Sequence, residues 1–283
     1  MKLVKTIAEL SEIRNDWRAQ SFSIGVVPTM GYLHAGHLSL VERARQENDR
    51  VITTIFVNPL QFGANEDLAR YPRDLERDMA MLEKGGVDLV FNPAPGEMYP
   101  PGFSSDVEVG GITNVLEGAH RPGHFKGVTT VVAKLFNLTC PSKAYFGQKD
   151  AQQVAVIKKM VADLNFPLEI VVCPTRREAD GLAMSSRNTY LQLAERQAAT
   201  VLYRALQAAK ARWDNGERNG QMLRQAMQTV LDSEPLAKPD YISAANPLTL
   251  AEYEGATTIT GGVLLSMAVR IGATRLIDNF LLD

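Results

Sequence analysis

The 283-residue sequence predicts an α/β chain, with a parallel sheet covered by helices on both faces and a smaller α+β unit behind it. Three observations carry this. Between Ile24 and Pro174 short β-rich runs alternate with helical patterns. Runs such as "VITTIFV" lack the strict polar alternation of a half-exposed strand, as expected for strands buried on both faces. After Pro174 two helical stretches are followed by segments that read as an antiparallel sheet.

Taken in order, "IGVV" is a strand and "HLSLVERARQE" the helix behind it; "VITTIFV" and "RDLERDMAMLEKGG" repeat the pair. "VDLVFNP" is the next strand, and "GVTTVVAKLFNLT" the next long helix. "KAYFG", "AQQVAVIKKMVADL" and "LEIVVCP" close the alternation as strand, helix and strand. The N-terminal twenty residues show helical amphipathic spacing, and "NPAPGEMYPPG" at 92–102 is a Pro/Gly-dense loop. Helices are expected from Ala194 to Trp213 and from Gln221 to Asp232. "DYISAANP" and "GGVLLSMAVRIGATRLIDNFLL" then supply the second sheet. The expected boundary divides a Rossmann-like domain, 1–174, from a smaller one, 175–283.

Composition narrows the function. A formal charge of -2 offers no basic field for a nucleic acid. No apolar stretch is long enough to span a membrane and the N-terminus lacks a signal-peptide pattern, so the expected location is cytoplasmic. Cys140 and Cys173 are too few for a disulfide framework or a thiolate metal cluster.

Right-handed crossovers place the loops after parallel strands on one edge of the sheet, where ligands bind in open α/β folds. Four polar segments fall there: "PTMGYLHAGH", "NPLQF", "GQKDAQQ" and "MSSRN". In the first, Gly31 and Gly36 permit a tight turn before a helix start, whose free N–H groups attract anions. His34 and His37 add donors to that turn, although two solvated histidines at a helix start fit it too. A zinc site built with His120 and His124 is disfavoured, because "HRPGH" interrupts helical geometry and "HAGH" lacks the glutamate of H-E-x-x-H. No Walker A or G-x-G-x-x-G pattern occurs. Lys149 suits phosphate oxygens, and Asp150 suits Mg²⁺ or a helix cap. Ser185, Ser186 and Arg187 form a donor-rich run, and Gln61 suits a hydroxy acid better than a phosphate.

Together "VPTMGYLHAGH", "FVNPLQF", "DLARYPRDLERD", "LEGAHRPGHFKGV", "YFGQKDAQQ", "DGLAMSSRN" and "ATRLIDN" resemble the pantothenate synthetase (pantoate–β-alanine ligase) family over nearly the whole chain. The H-x-G-H element alone marks only the wider nucleotidyltransferase superfamily. The resemblance implies ATP-dependent condensation of pantoate with β-alanine through a pantoyl adenylate. It implies an ATP site of Met30, Gly31, Tyr32, Leu33, His34, Ala35, Gly36 and His37, completed by Gly147, Gln148, Lys149, Asp150, Arg176, Met184, Ser185, Ser186 and Arg187. His37, His34, Lys149, Ser185, Ser186 and Arg187 are the implied catalytic groups. Gln61 and Gln153 would hold pantoate, Asp150 would meet Mg²⁺, and the second domain would close over the cleft of a homodimer. Two positions depart from the family pattern: Arg176 replaces an apolar residue and Gln148 a glutamate. Another adenylyltransferase of the superfamily or a non-catalytic nucleotide sensor are the rival readings, and a tRNA synthetase is disfavoured by charge.

Overall fold

The computed structural model describes residues 1–64, 66–255 and 257–283. Six parallel strands form the larger sheet: β1 (Lys2–Val4), β2 (Ile24–Thr29), β3 (Arg50–Ile55), β4 (Leu89–Phe91), β5 (Lys143–Gly147) and β6 (Glu169–Cys173). Their spatial order is β1-β4-β3-β2-β5-β6. The chain first builds leftward from β2 and then returns to its other side with β5. The crevice between the carboxyl ends of β2 and β5 is therefore the switch point of the sheet, where such folds bind ligands.

Successive strand residues enter different cores, as period-two alternation requires. Val26, Ile52, Leu89 and Phe91 face one core, whereas Val27, Val51, Ile55 and Val90 face the other. The first core takes its cover from α1 (Ile7–Ala19) and from two later helices, α6 (His124–Thr139) and α7 (Ala151–Asp163). The second is covered by α2 (Ala35–Glu47) and α3 (Leu75–Lys84). Burial of both faces explains why these strands show no polar alternation.

A third core lies between α9 (Val201–Asp214), α10 (Gly220–Leu231) and a three-stranded antiparallel sheet. The sheet runs β7 (Ala237–Ala245), β8 (Val263–Ile271), β9 (Thr274–Leu282), and β9 contacts the loop after β5. No helix among the described residues is long and apolar enough to cross a membrane.

Four local details differ from the expectation. β1 precedes α1; three residues are too few to show a period, and this edge strand exists through its pairing with β4. The Pro/Gly-dense loop contains a short helix, α4 (Pro95–Met98), with Pro95 in the first turn, where its missing N–H costs nothing. A second four-residue helix, α5 (Glu117–His120), precedes α6. The helix expected over 194–213 is two, α8 (Leu193–Ala198) and α9, separated near Thr200, whose hydroxyl bonds the Gln197 carbonyl.

Candidate active site

The cleft at the switch point has a volume of about 230 Å³. Its wall after β2 is an unusual turn. Gly31 and Tyr32 both take positive φ, 83° and 50°. A left-handed tyrosine is strained and persists only where its surroundings hold it. The holder is Asp78 of α3, whose buried carboxylate accepts from Tyr32 N at 2.6 Å and Leu33 N at 2.7 Å. Burial raises the Asp78 pKa against these two donors.

The turn delivers two imidazoles to the start of α2. His34 Nδ1 accepts from Gly36 N at 3.1 Å, and His37 Nδ1 accepts from His34 N at 3.3 Å. Both Nδ1 atoms are thus committed to the helix start, so each neutral ring carries its proton on Nε2. Burial, with the nearby Lys149 charge, pushes His34 down to about 4. Burial also pushes His37 down to about 3, helped by His34 and Lys149. At neutral pH the pair consists of two oriented, uncharged donors.

The opposite wall follows β5. Lys149 Nζ lies 3.7 Å from Asp150 Oδ1. A third wall comes after β6, through a hairpin bridge between Arg177 and Ala183 that leads to Met184–Arg187. Ser185 Oγ accepts from Arg187 N, while the buried Ser186 hydroxyl donates to Tyr32 O at 3.0 Å, joining this wall to the first. Arg187 is held by both oxygens of Asp67, at 3.0 and 2.9 Å. Burial opposes its charge, but Asp67 outweighs burial and the pKa is raised. In parallel, Arg121 is held by Glu66 at 2.6 and 2.7 Å.

The floor is built by a close approach of backbones. A Cβ on Gly127 of α6 would stand 2.2 Å from Leu60 O and 2.6 Å from Gln61 N, so only glycine lets the "NPLQ" turn settle there. Asn58 Nδ2 donates to Gly127 O and Gln61 Oε1, both at 3.1 Å. His124 Nδ1 donates to Gln61 O at 2.8 Å, and the Gln61 amide nitrogen meets Met30 Sδ at 3.1 Å.

Of the residues expected at the site, Met30, His34, Gly36, His37, Gln61, Gly147, Lys149, Asp150, Gln153, Arg176, Met184, Ser185, Ser186 and Arg187 line this cleft. Five do not. Leu33 is fully buried and Ala35 exposed, Gly31 and Tyr32 line a neighbouring cavity, and the Gln148 side chain turns to Asn279 of β9. Arg176 is exposed at the rim. Asn58, Tyr71, Arg121 and His124 also line the cleft, and sequence reasoning does not single them out for it. Asn58 stands inside a quoted motif, and the histidine spacing points to His124 only as a zinc ligand. No three potential metal-binding side chains cluster among the described residues.

The buried neutral histidines set a pH dependence. His124 is also depressed, to about 4, by burial and then by Arg121. Between pH 6.5 and these values the unfolded chain binds protons that the folded chain refuses. Stability is therefore complete above 6.5 and falls as pH falls, by up to roughly 1.4 kcal/mol per pH unit for each buried imidazole, and by less for the partly open His34. The thermal midpoint should drop steadily from about pH 6.5 to about 5.0. A level midpoint over that window would mean that these rings are charged in the folded state.

Two neutral Nε2–H donors at a helix start face a lysine and a Ser-Ser-Arg run across the switch point of a parallel sheet. Fold and cleft together define an anion-binding site at the switch point of an open α/β sheet, built around an H-x-G-H element. The comparisons refine this. Residues 2–281 match the family model of pantoate-beta-alanine ligase. The chain is 62% identical to pantothenate synthetase of Roseiflexus sp. (strain RS-1) over 283 residues, all of both chains. It superposes on the crystal structure of pantothenate synthetase from Thermus thermophilus with a TM-score of 0.93, at 49% identity over 99% of each chain. The pantoate-beta-alanine ligase of Francisella tularensis, solved with beta-gamma ATP and beta-alanine, aligns with a TM-score of 0.80 and 38% identity, over 99% of this chain and 97% of that one. The chain belongs to the pantoate–β-alanine ligase family.

Proposed function

We infer that this chain condenses pantoate with β-alanine at the expense of ATP, forming pantothenate, AMP and pyrophosphate through a bound pantoyl adenylate. The observation that carries this reading is the meeting of phosphate-type donors and neutral amides in one cleft of a chain that matches the family from end to end. In the first step the pantoate carboxylate attacks the α-phosphorus and pyrophosphate departs. In-line displacement at phosphorus needs positioning and charge stabilisation more than covalent help. The Nε2–H groups of His37 and His34 donate to oxygens on which charge grows, and Lys149 and Arg187 neutralise the departing phosphates. In the second step the β-alanine amine attacks the acyl carbon, loses a proton, and AMP leaves.

Gln61 and Gln153 bind pantoate as neutral partners, which leaves its carboxylate nucleophilic; a lysine there would pair it away. Because Gly127 places Gln61, Gly127→Ala should raise KM for pantoate by about tenfold or more and cost roughly 1–3 kcal/mol of stability through overpacking. Unchanged pantoate kinetics would remove Gln61 from the pantoate site. Asp150 is a half-exposed single carboxylate beside Lys149, which fits a Mg²⁺ ion held mainly by the nucleotide. Bound there, Mg²⁺ supplies charge neutralisation of the triphosphate.

The same reading takes residues 1–174 and 175–283 as two domains, the second covering the cleft to keep water from the acyl adenylate. It places the enzyme in the cytoplasm as a homodimer joined through the larger domain; light scattering checks the assembly. The catalytic test is pyrophosphate release from ATP with pantoate alone, followed by addition of β-alanine. Expected are pantoate-dependent pyrophosphate and β-alanine-dependent AMP. Accumulation of a stable adenylated product, or no dependence on pantoate, would overturn the proposal.

A further inference from the structure

Asn279 lies in β9, far along the chain from every cleft loop, yet its buried side chain spends both amide protons and its carbonyl on one of them. Nδ2 donates to Gln148 O at 3.0 Å and to Lys149 O at 2.8 Å, and Oδ1 accepts from Gln148 Nε2 at 3.1 Å. The two carbonyls belong to the peptide planes on either side of the Lys149 Cα. Holding both planes fixes φ and ψ at Lys149, and with them the direction in which its Cα–Cβ bond leaves the backbone.

The neighbouring residue anchors the anchor. Asp278 Oδ1 accepts from Asn279 N at 2.8 Å, and its carboxylate accepts from Nη1 and Nη2 of Arg177 at 2.6 and 2.9 Å. Arg177 is itself held between the rings of Tyr203 and Phe280, at 4.8 and 5.2 Å. It also begins the hairpin that leads to Met184–Arg187. One dipeptide of β9 thus grips the lysine wall through Asn279 and the Ser-Ser-Arg wall through Asp278.

We propose that Asn279 is a positioning residue for adenylate formation, acting through Lys149 by clamping the two carbonyls that flank it. The proposal rests on the ligase reading above. Its alternative is that Asn279 merely staples the smaller sheet to the larger one, in which case its loss harms every variant alike. A double-mutant cycle separates these, because only residues acting through one another couple.

The experiment measures pantoate-dependent pyrophosphate release for the full-length wild type, Asn279→Ala, Lys149→Ala and the double variant, with a thermal midpoint for each. Asn279→Ser replaces Asn279→Ala if the latter does not fold. Expected is a fall in kcat of about tenfold or more for Asn279→Ala in the wild-type background, KM for pantoate within about threefold, and a further fall of less than about twofold in the Lys149→Ala background. Equal fold-losses in both backgrounds would overturn the proposal, as would an unchanged kcat. A wild type that releases no pyrophosphate would instead sink the ligase reading, so the two failures are distinct.

Discussion

His37→Ala should lower pantoate-dependent pyrophosphate release by about 10²–10³-fold, the loss typical of removing one preorganised donor from a developing oxyanion. The basis is the orientation of the ring. With Nδ1 occupied by the His34 N–H, the proton sits on Nε2, and a depressed pKa of about 3 keeps the ring neutral. The chemistry therefore needs a donor and does not need a standing positive charge. His37→Gln keeps an N–H in the approximate place of Nε2 and should retain more activity than His37→Asn, whose shorter amide mimics Nδ1. Rapid-quench measurement of pyrophosphate formation is the suitable readout, since it isolates the first step. Equal activity of the Gln and Asn variants would show that Nε2 is not the working atom.

The second large effect is expected at Asp78, which does not line the cleft. Asp78→Ala leaves the buried N–H groups of Tyr32 and Leu33 without an acceptor, at about 1–3 kcal/mol each. The left-handed backbone at Tyr32 then loses the contact that sustains it, and the turn carrying both histidines relaxes. A fall of roughly 2–5 kcal/mol in unfolding free energy is expected. Adenylation should fall together with it, by about 10²-fold, because misplacement of catalytic donors by an ångström is costly. Asp78→Asn, which retains one acceptor, should lie between. Chemical denaturation and single-turnover kinetics on the same preparations check both arms. Full activity in a folded Asp78→Ala protein would show that the turn holds itself.

How far the molecule could be read from its residues follows from the range of the contacts involved. The helices behind β2, β3 and β5 announce themselves because amphipathic spacing is local. The histidine, lysine and serine walls were legible for a topological reason: each directly follows a segment that must be a parallel strand, and such loops share one edge. Asp78 was not legible, because its acceptor role depends on a turn 46 residues earlier. Asn279 reaches across 131 residues to Gln148, and no period or local motif connects them. His124 was visible as a histidine, but its part in holding Gln61 depends on the Gly127 approach, which exists only in three dimensions. β1 owes its existence to pairing with β4 and has no signature of its own.

The carboxylate of Asp67 on Arg187 has a consequence for how the cleft fills. Asp67 occupies Nε and one terminal nitrogen of this guanidinium and leaves the other terminal nitrogen free to donate. Under the ligase reading, a phosphate would meet Arg187 with its counter-ion already in place, so the affinity it shows is the attraction of the guanidinium less the repulsion of the carboxylate. Nucleotide binding and the hold of Asp67 on Arg187 would then share one charge, and a change in either would register in the other.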